Sequence, residues 1–184
     1  LVGKGVSYCS TCDAPLYKDK DVVVVGGGNA AVEGAILISK YANKVHLVYR
    51  GDSLHRPEKV LLKQFQECKN IDLHLNSQIS EITEDDNGVN GVKIIKSKQE
   101  EKLTCDGLFI EIGADPRLEL PKQLNLSIDP ETNEVSVNKL METSLKGVFA
   151  AGDLTNASGP LKQTVTAAGQ GAIAALSAYT YLSS

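Results

Sequence analysis

Two cysteines and an acid stand within five residues in the run S7-Y8-C9-S10-T11-C12-D13. The C-x-x-C spacing lets one disulfide open and close readily, and polar surroundings lower the pKa of one thiol, so that a thiolate becomes the reactive species. Asp13 directly after Cys12 suits a proton donor or acceptor for that chemistry, with a turn or cap residue as the plainer alternative. A zinc half-site needs a second ligand pair. None is expected here, because His46, His55 and His74 lie at no ligand spacing and no second C-x-x-C occurs. Cys68 and Cys105 are isolated and read as packing residues. The chemistry implied is dithiol–disulfide exchange, with no metal.

A second chemical signature follows at once in D21-V-V-V-V25-G26-G27-G28-N29-A30-A31. The pattern G26-x-G28-x-x-A31 leaves a β-branched run and opens an apolar helix, the context that a dinucleotide-binding turn requires. Gly26 makes the tight turn, Gly28 lets the backbone approach a pyrophosphate, and Ala31 keeps helix and strand close. The N–H groups of Asn29 and Ala30 then face the phosphates. An empty doubly wound domain with a glycine-rich turn is the alternative. About 20 residues farther on, an Asp or Glu binds the ribose hydroxyls where NAD is the ligand, whereas this chain has V48-Y49-R50-G51-D52. Arg50, with Arg56 as a second donor, suits the 2′-phosphate of NADP, since a guanidinium grips phosphate as a fork. Asp52 keeps NAD open, and Arg56 also reads as a solvated surface charge. A hydride carrier and a dithiol rarely react directly, so an intermediary such as flavin is implied.

These residues need a scaffold. Residues 21–25 read as a strand buried on both faces, 29–42 as a covering helix and 44–49 as a second strand, a right-handed β-α-β unit. Pro57 opens a further helix, with Val60, Leu61, Gln64, Phe65 and Cys68 at three- and four-residue steps and Asn70 as its stop. A short strand at 71–75 precedes an antiparallel meander at 78–83, 92–97 and 101–104, and an apolar strand spans 106–112. The fold class expected is α/β, a doubly wound Rossmann-like domain with a meander. A boundary or hinge is expected near residues 113–117, and a last helix over about 163–182.

Composition excludes other classes. The chain has 184 residues, 42% of them hydrophobic and 23% charged, with net charge −4. That balance argues against a nucleic-acid surface. No apolar run approaches the roughly 18 residues of a membrane helix, and no signal pattern opens the chain, so a cytoplasmic protein is expected. The chain starts at Leu1 and its one methionine is Met141, from which a piece of a longer polypeptide is expected.

Taken in order, C9-S-T-C12-D13, G26-G27-G28-N29-A30-A31-V-E33, H46-L-V-Y-R50 and G147-V-F-A-A-G152-D153 with K162-Q163-T164 resemble the low-molecular-weight thioredoxin reductases of bacteria and archaea. The resemblance covers nearly the whole chain. It implies that residues 1–112 are an inserted NADPH domain carrying the redox cysteines, and that residues 113–184 are the closing segment of an FAD-binding α/β domain. Cys12 would face the flavin, Cys9 would attack the partner's disulfide and Asp13 would manage protons. Gly152 and Asp153 would bind FAD, with Lys162, Gln163 and Thr164 near the isoalloxazine ring. Electrons would pass from NADPH through FAD and Cys9–Cys12 to thioredoxin or a thioredoxin-like protein, in a homodimer whose NADPH domain rotates between half-reactions. The family's paired arginines become Arg50-Gly51, the loop from Asp153 to Gln163 is longer, and no second G-x-G-x-x-G occurs. Two alternatives stay open: an NADH-preferring relative such as the flavin component of an alkyl hydroperoxide reductase, and a non-catalytic nucleotide-binding fragment.

Overall fold

The computed structural model describes residues 1–54, 58–113, 115–159 and 161–183. In chain order it begins with β1 (Val6–Ser7) and the four-residue helix α1 (Ser10–Asp13), which carries the cysteines. There follow β2 (Asp21–Val25), α2 (Asn29–Ser39), β3 (Lys44–Val48), α3 (Lys59–Glu67) and β4 (Ile71–His74). An antiparallel sheet of β5 (Ser77–Asp85), β6 (Gly88–Lys96) and β7 (Gln99–Thr104) comes next, and β8 (Gly107–Ile110) returns to the first sheet.

Five parallel strands in the order β1-β8-β2-β3-β4 put β2 in the middle. Four successive valines have no polar face to offer water, which is why this strand takes the place covered on both sides. Val22 and Val24, with Val45, Leu47 and Phe109, pack under Ala31, Ala35 and Ile38 of α2. Val23, Val48 and Leu108 point the other way, onto Val92, Ile94 and Leu103 of the antiparallel sheet. Each such side chain contributes about 1.5–3 kcal/mol on burial. The turn between β6 and β7 is Ser97–Lys98, both at positive φ (49° and 68°), the two-residue turn that matches strand twist.

The doubly wound parallel sheet with its antiparallel meander is the architecture expected, and several boundaries differ for tertiary reasons. Helix α2 stops at Ser39 instead of near 42 because the Asn70 amide donates to the carbonyls of Ser39 and Ala42, each at 3.0 Å. Asn70 therefore finishes α2 and is not the stop of α3, which ends at Glu67. Val60 is 66% exposed, and the half-buried stripe of α3 is Leu61, Leu62 and Phe65. Pro57 lies outside the described residues.

The chain divides into two compact units, Leu1–Gly113 and Ala114–Ser184. The second contains α4 (Glu119–Gln123), α5 (Thr164–Ser183) and isolated bridges Ile128–Val135, Val135–Thr155 and Glu142–Phe149. Its core is Leu118, Leu126 and Val135, with Val148, Ala150 and Leu154 packed against them. Residues 148–151 are thus half-buried. Helix α5 is bare by contrast: only Gln170 is buried along its 20 residues, and Val165, Leu176, Tyr179 and Leu182 are exposed. Among the described residues no helix is long and apolar enough to cross a membrane.

On adjacent strands β3 and β4, His46 Nδ1 and His74 Nε2 lie 3.1 Å apart, so one nitrogen donates and the other accepts. Burial holds the pKa of both below the usual 6.5, and for His46 the charge that His74 would carry acts the same way. Asp21, Asp72, Glu101, Lys44 and Lys96 are the charged groups around the pair. Their folded pKa values are depressed, so below pH 6.5 the unfolded chain binds the extra protons. Stability of the first unit should fall as pH drops through 6.5, and not as pH rises. Urea unfolding followed across that range checks this, and the double variant His46→Asn/His74→Asn should flatten the dependence.

Candidate functional site

The redox hairpin is assembled on strand ends. Cys9 and Cys12 are joined in a disulfide, with Cys9 half-buried and Cys12 exposed. A four-residue helix makes almost no hydrogen bonds of its own, so its amides need partners elsewhere. The buried Ser7 hydroxyl accepts the Cys9 N–H (3.1 Å) and donates to Asp13 Oδ2 (2.7 Å). Glu111 Oε1, just past the end of β8, accepts the Ser10 N–H at 3.2 Å. The Cys12 N–H is directed at Cys9 Sγ (3.2 Å). Behind the hairpin the Tyr17 ring meets Phe109 edge-on at 5.0 Å and lies where any side chain at position 107 would stand. Burial, and then the charge on Asp13, push the Tyr17 hydroxyl above its ordinary pKa.

The glycine turn is built by exclusion. A Cβ on Gly26 would stand 2.2 Å from the carbonyl oxygen of Glu111, and one on Gly27 would stand 2.3 Å from the Tyr49 ring. Gly28 has open space where a Cβ would be, with extended backbone at φ −90°. This is the cradle that a phosphate-approaching backbone needs: two glycines demanded by the fold, and a third that leaves the way clear. The turn opens onto a cavity of about 590 Å³ lined by Gly26, Gly27, Gly28, Asn29, Ala30 and Arg50, together with Tyr49, Ser77, Gln78, Ile79, Glu111 and Ile112. Its lining fits a dinucleotide, with backbone N–H groups and one exposed guanidinium. Ala31 is buried under the turn. Arg56 lies outside the described residues.

The same ring explains an oddity of the sequence. Tyr49 also covers Gly51, where a Cβ would come within 2.6 Å of it. A side chain at position 51 would require that ring to shift.

In the second unit Gly152 adopts φ +83°, and its N–H is taken by Gln170 Oε1 at 2.7 Å. Asp153 and Thr164 are exposed and Gln163 is half-buried. The Lys162 ammonium pairs with the buried carboxylate of Glu134 and lies 3.3 Å from the Asp153 carbonyl. The structure thus brings Gly152, Asp153 and Lys162 together around one turn, next to the start of α5. Of these, Asp153 is the exposed residue, while the Gly152 N–H and the Lys162 ammonium are already engaged within the unit. The unit's own cavity of about 500 Å³ is lined instead by residues such as Asn138, Met141, Asn156 and Gln170.

Sequence reasoning passed over Ser7, Glu111 and residues 77–79. Glu111 did carry a signal: an acid closing an apolar strand, L-F-I-E, at the strand's carboxyl end, where open α/β sheets place ligands. Ser7 and residues 77–79 carried none. Cys105 is 2% exposed and burial pushes its thiol up to about 11, as a packing residue should behave.

A family profile described as pyridine nucleotide-disulphide oxidoreductase matches residues 1–171. Curated thioredoxin reductases of Bacillus subtilis (strain 168) and Coxiella burnetii are 40% and 43% identical to this chain over 99% and 100% of its length. The chain spans 57% and 59% of those relatives. The crystal structure of thioredoxin reductase from Streptococcus pyogenes matches with TM-score 0.84 at 36% identity, covering 98% of this chain and 58% of that one.

The two outer glycines of the turn should respond differently to one methyl group. Gly26→Ala is expected to lower stability by about 1–3 kcal/mol or more, since both its φ of +148° and a backbone clash oppose it. Gly28→Ala should cost less than about 1 kcal/mol, the scale of a helix cap change. Urea unfolding of both variants decides, and equal losses would contradict the division of roles.

Proposed function

The chain belongs to the pyridine nucleotide-disulphide oxidoreductase family, and from that premise we propose that it is the nucleotide- and dithiol-bearing portion of an NADPH-dependent thioredoxin reductase. Residues 1–112 bind the dinucleotide and carry Cys9–Cys12, and residues 113–184 contribute to an FAD domain. The whole enzyme is a cytoplasmic homodimer in this reading, and its partner is thioredoxin or a thioredoxin-like protein. The observation that carries it is the disulfide between Cys9 and Cys12, seated at the same edge of the parallel sheet as the glycine-turn cavity.

Gly28, Asn29 and Ala30 would hold the dinucleotide's pyrophosphate, and Arg50, at the end of β3, would take the 2′-phosphate. Asp153, Lys162, Gln163 and Thr164 would hold FAD, which would supply a group able to accept a hydride and pass an electron pair to sulfur. The pair is delivered to Cys12, and the Cys9–Cys12 bond opens with uptake of two protons. The Cys12 N–H aimed at Cys9 Sγ favours negative charge on that sulfur, which makes Cys9 the nucleophile. Its thiolate attacks the partner's disulfide and forms a mixed disulfide, the partner's leaving sulfur taking a proton. Cys12 then attacks Cys9 Sγ, restores the internal disulfide and releases the dithiol partner. Asp13, held by the Ser7 hydroxyl, exchanges the protons beside this pair.

In the full-length enzyme, Cys9→Ser and Cys12→Ser should each abolish thioredoxin reduction while leaving flavin reduction by NADPH intact, as read by anaerobic stopped-flow spectroscopy. Loss of flavin bleaching in both variants would contradict the order of transfer. Arg50→Ala should weaken NADPH binding about tenfold, the scale of one charged hydrogen bond, with NADH nearly unaffected. Calorimetric titration with both coenzymes tests this, and equal weakening would favour the NADH-preferring reading.

A further inference from the structure

Glu111 touches both halves of this chemistry, lining the cavity and holding the redox hairpin. Its backbone is fixed by the glycine turn: its N–H donates to Val25 O at 2.9 Å, and its carbonyl fills the space beside Gly26. From there its side chain leaves the cavity wall and reaches the Ser10 N–H, in the amide that directly follows Cys9. Of the hairpin amides with a side-chain acceptor, Cys9 N–H goes to a neutral hydroxyl and Cys12 N–H to sulfur. Ser10 N–H goes to a carboxylate, which places a negative charge one residue from the reacting sulfur and removes a donor from its surroundings.

We propose that Glu111 is a positioning residue that sets the reduction potential of the Cys9–Cys12 pair, keeping it strongly reducing by opposing charge on the Cys9 sulfur. This deepens the reductase reading and rests on it. A dithiol whose thiolate is stabilised is held in its reduced form and becomes an oxidant. A pair that must give electrons to another disulfide needs the opposite bias. The Glu111 carboxylate provides it from a place that the fold cannot easily surrender, since the Gly26 contact fixes its main chain.

The test uses the chain alone, equilibrated with reduced and oxidised dithiothreitol. The reagent's two thiols supply the electron pair and two protons and close into its ring disulfide, while the Cys9–Cys12 bond breaks and two S–H groups form. Glu111→Gln keeps an oxygen acceptor for Ser10 and removes the charge. It should shift the equilibrium toward the dithiol about tenfold, which is about 30 mV for a two-electron couple, and raise the thiolate absorbance of the reduced protein at neutral pH. Glu111→Ala should shift it equally, although its unfolding midpoint should fall further because the hydrogen bond is gone. Should Glu111→Gln not fold, Glu111→Asp should give a smaller shift of the same sign. An equilibrium within twofold of wild type in Glu111→Gln, or a shift in Glu111→Ala alone, overturns the inference. A wild-type disulfide that dithiothreitol cannot open overturns the dithiol reading itself, and this inference with it.

Discussion

One carbonyl oxygen decides how this sheet edge is used. The Glu111 carbonyl occupies the volume that any side chain on Gly26 would need, at 2.2 Å from the position of a Cβ. The approach is enforced by strand pairing: Gly26 N–H donates to Val48 O at 3.1 Å and Glu111 N–H to Val25 O at 2.9 Å, so the exits of β3, β2 and β8 are laced together. With the three exits fixed, α2 must start immediately after the turn, and its first amides face the cavity. The Glu111 side chain is in turn projected toward α1. The Tyr49 ring seals the opposite flank, pressing on Gly27 and Gly51. The cavity is thus bounded by main chain on one side and by an aromatic face on the other.

What could be read from the sequence was what local chemistry dictates. The valine run, the glycine turn and the helix after it follow from burial and backbone freedom, and the strands fell within a few residues of their expected ends. Misjudged features depended on residues distant in the chain. Asn70 was taken for a local stop, yet its amide caps a helix some 30 residues earlier, and nothing in the sequence around it distinguishes the two roles. Val60 fits an apolar stripe by spacing, but the stripe of α3 is rotated toward Leu62, and it is Phe65 that packs against the core under α2. The hairpin's supports, Ser7 and Glu111, are 104 residues apart and meet only because β1 pairs with β8 at Ser7–Phe109. The departure at Gly51 looks like a lost arginine in the sequence. In three dimensions Gly51 lies against the Tyr49 ring, which any side chain there would have to displace.

Placement of the two reactive features bears on how electrons travel between them. The disulfide and the cavity share a sheet edge and the residue Glu111, but neither Cys9 nor Cys12 lines the cavity. A hydride moves only across contact distance, and a disulfide opens only when a donor reaches one sulfur in line with the bond. In the reading proposed above, a dinucleotide whose phosphates are held at the glycine turn and Arg50 would satisfy the first condition at the cavity and not the second at the hairpin. The bridging residue cannot help, because a carboxylate has no accessible redox state and acts only through its charge. Separation of this kind favours a mobile contact with a third group, one that accepts a hydride on one encounter and gives an electron pair to Cys12 on another. It also makes the two sites independently tunable. Arg50 lines only the cavity, whereas Glu111 touches both the cavity and the hairpin.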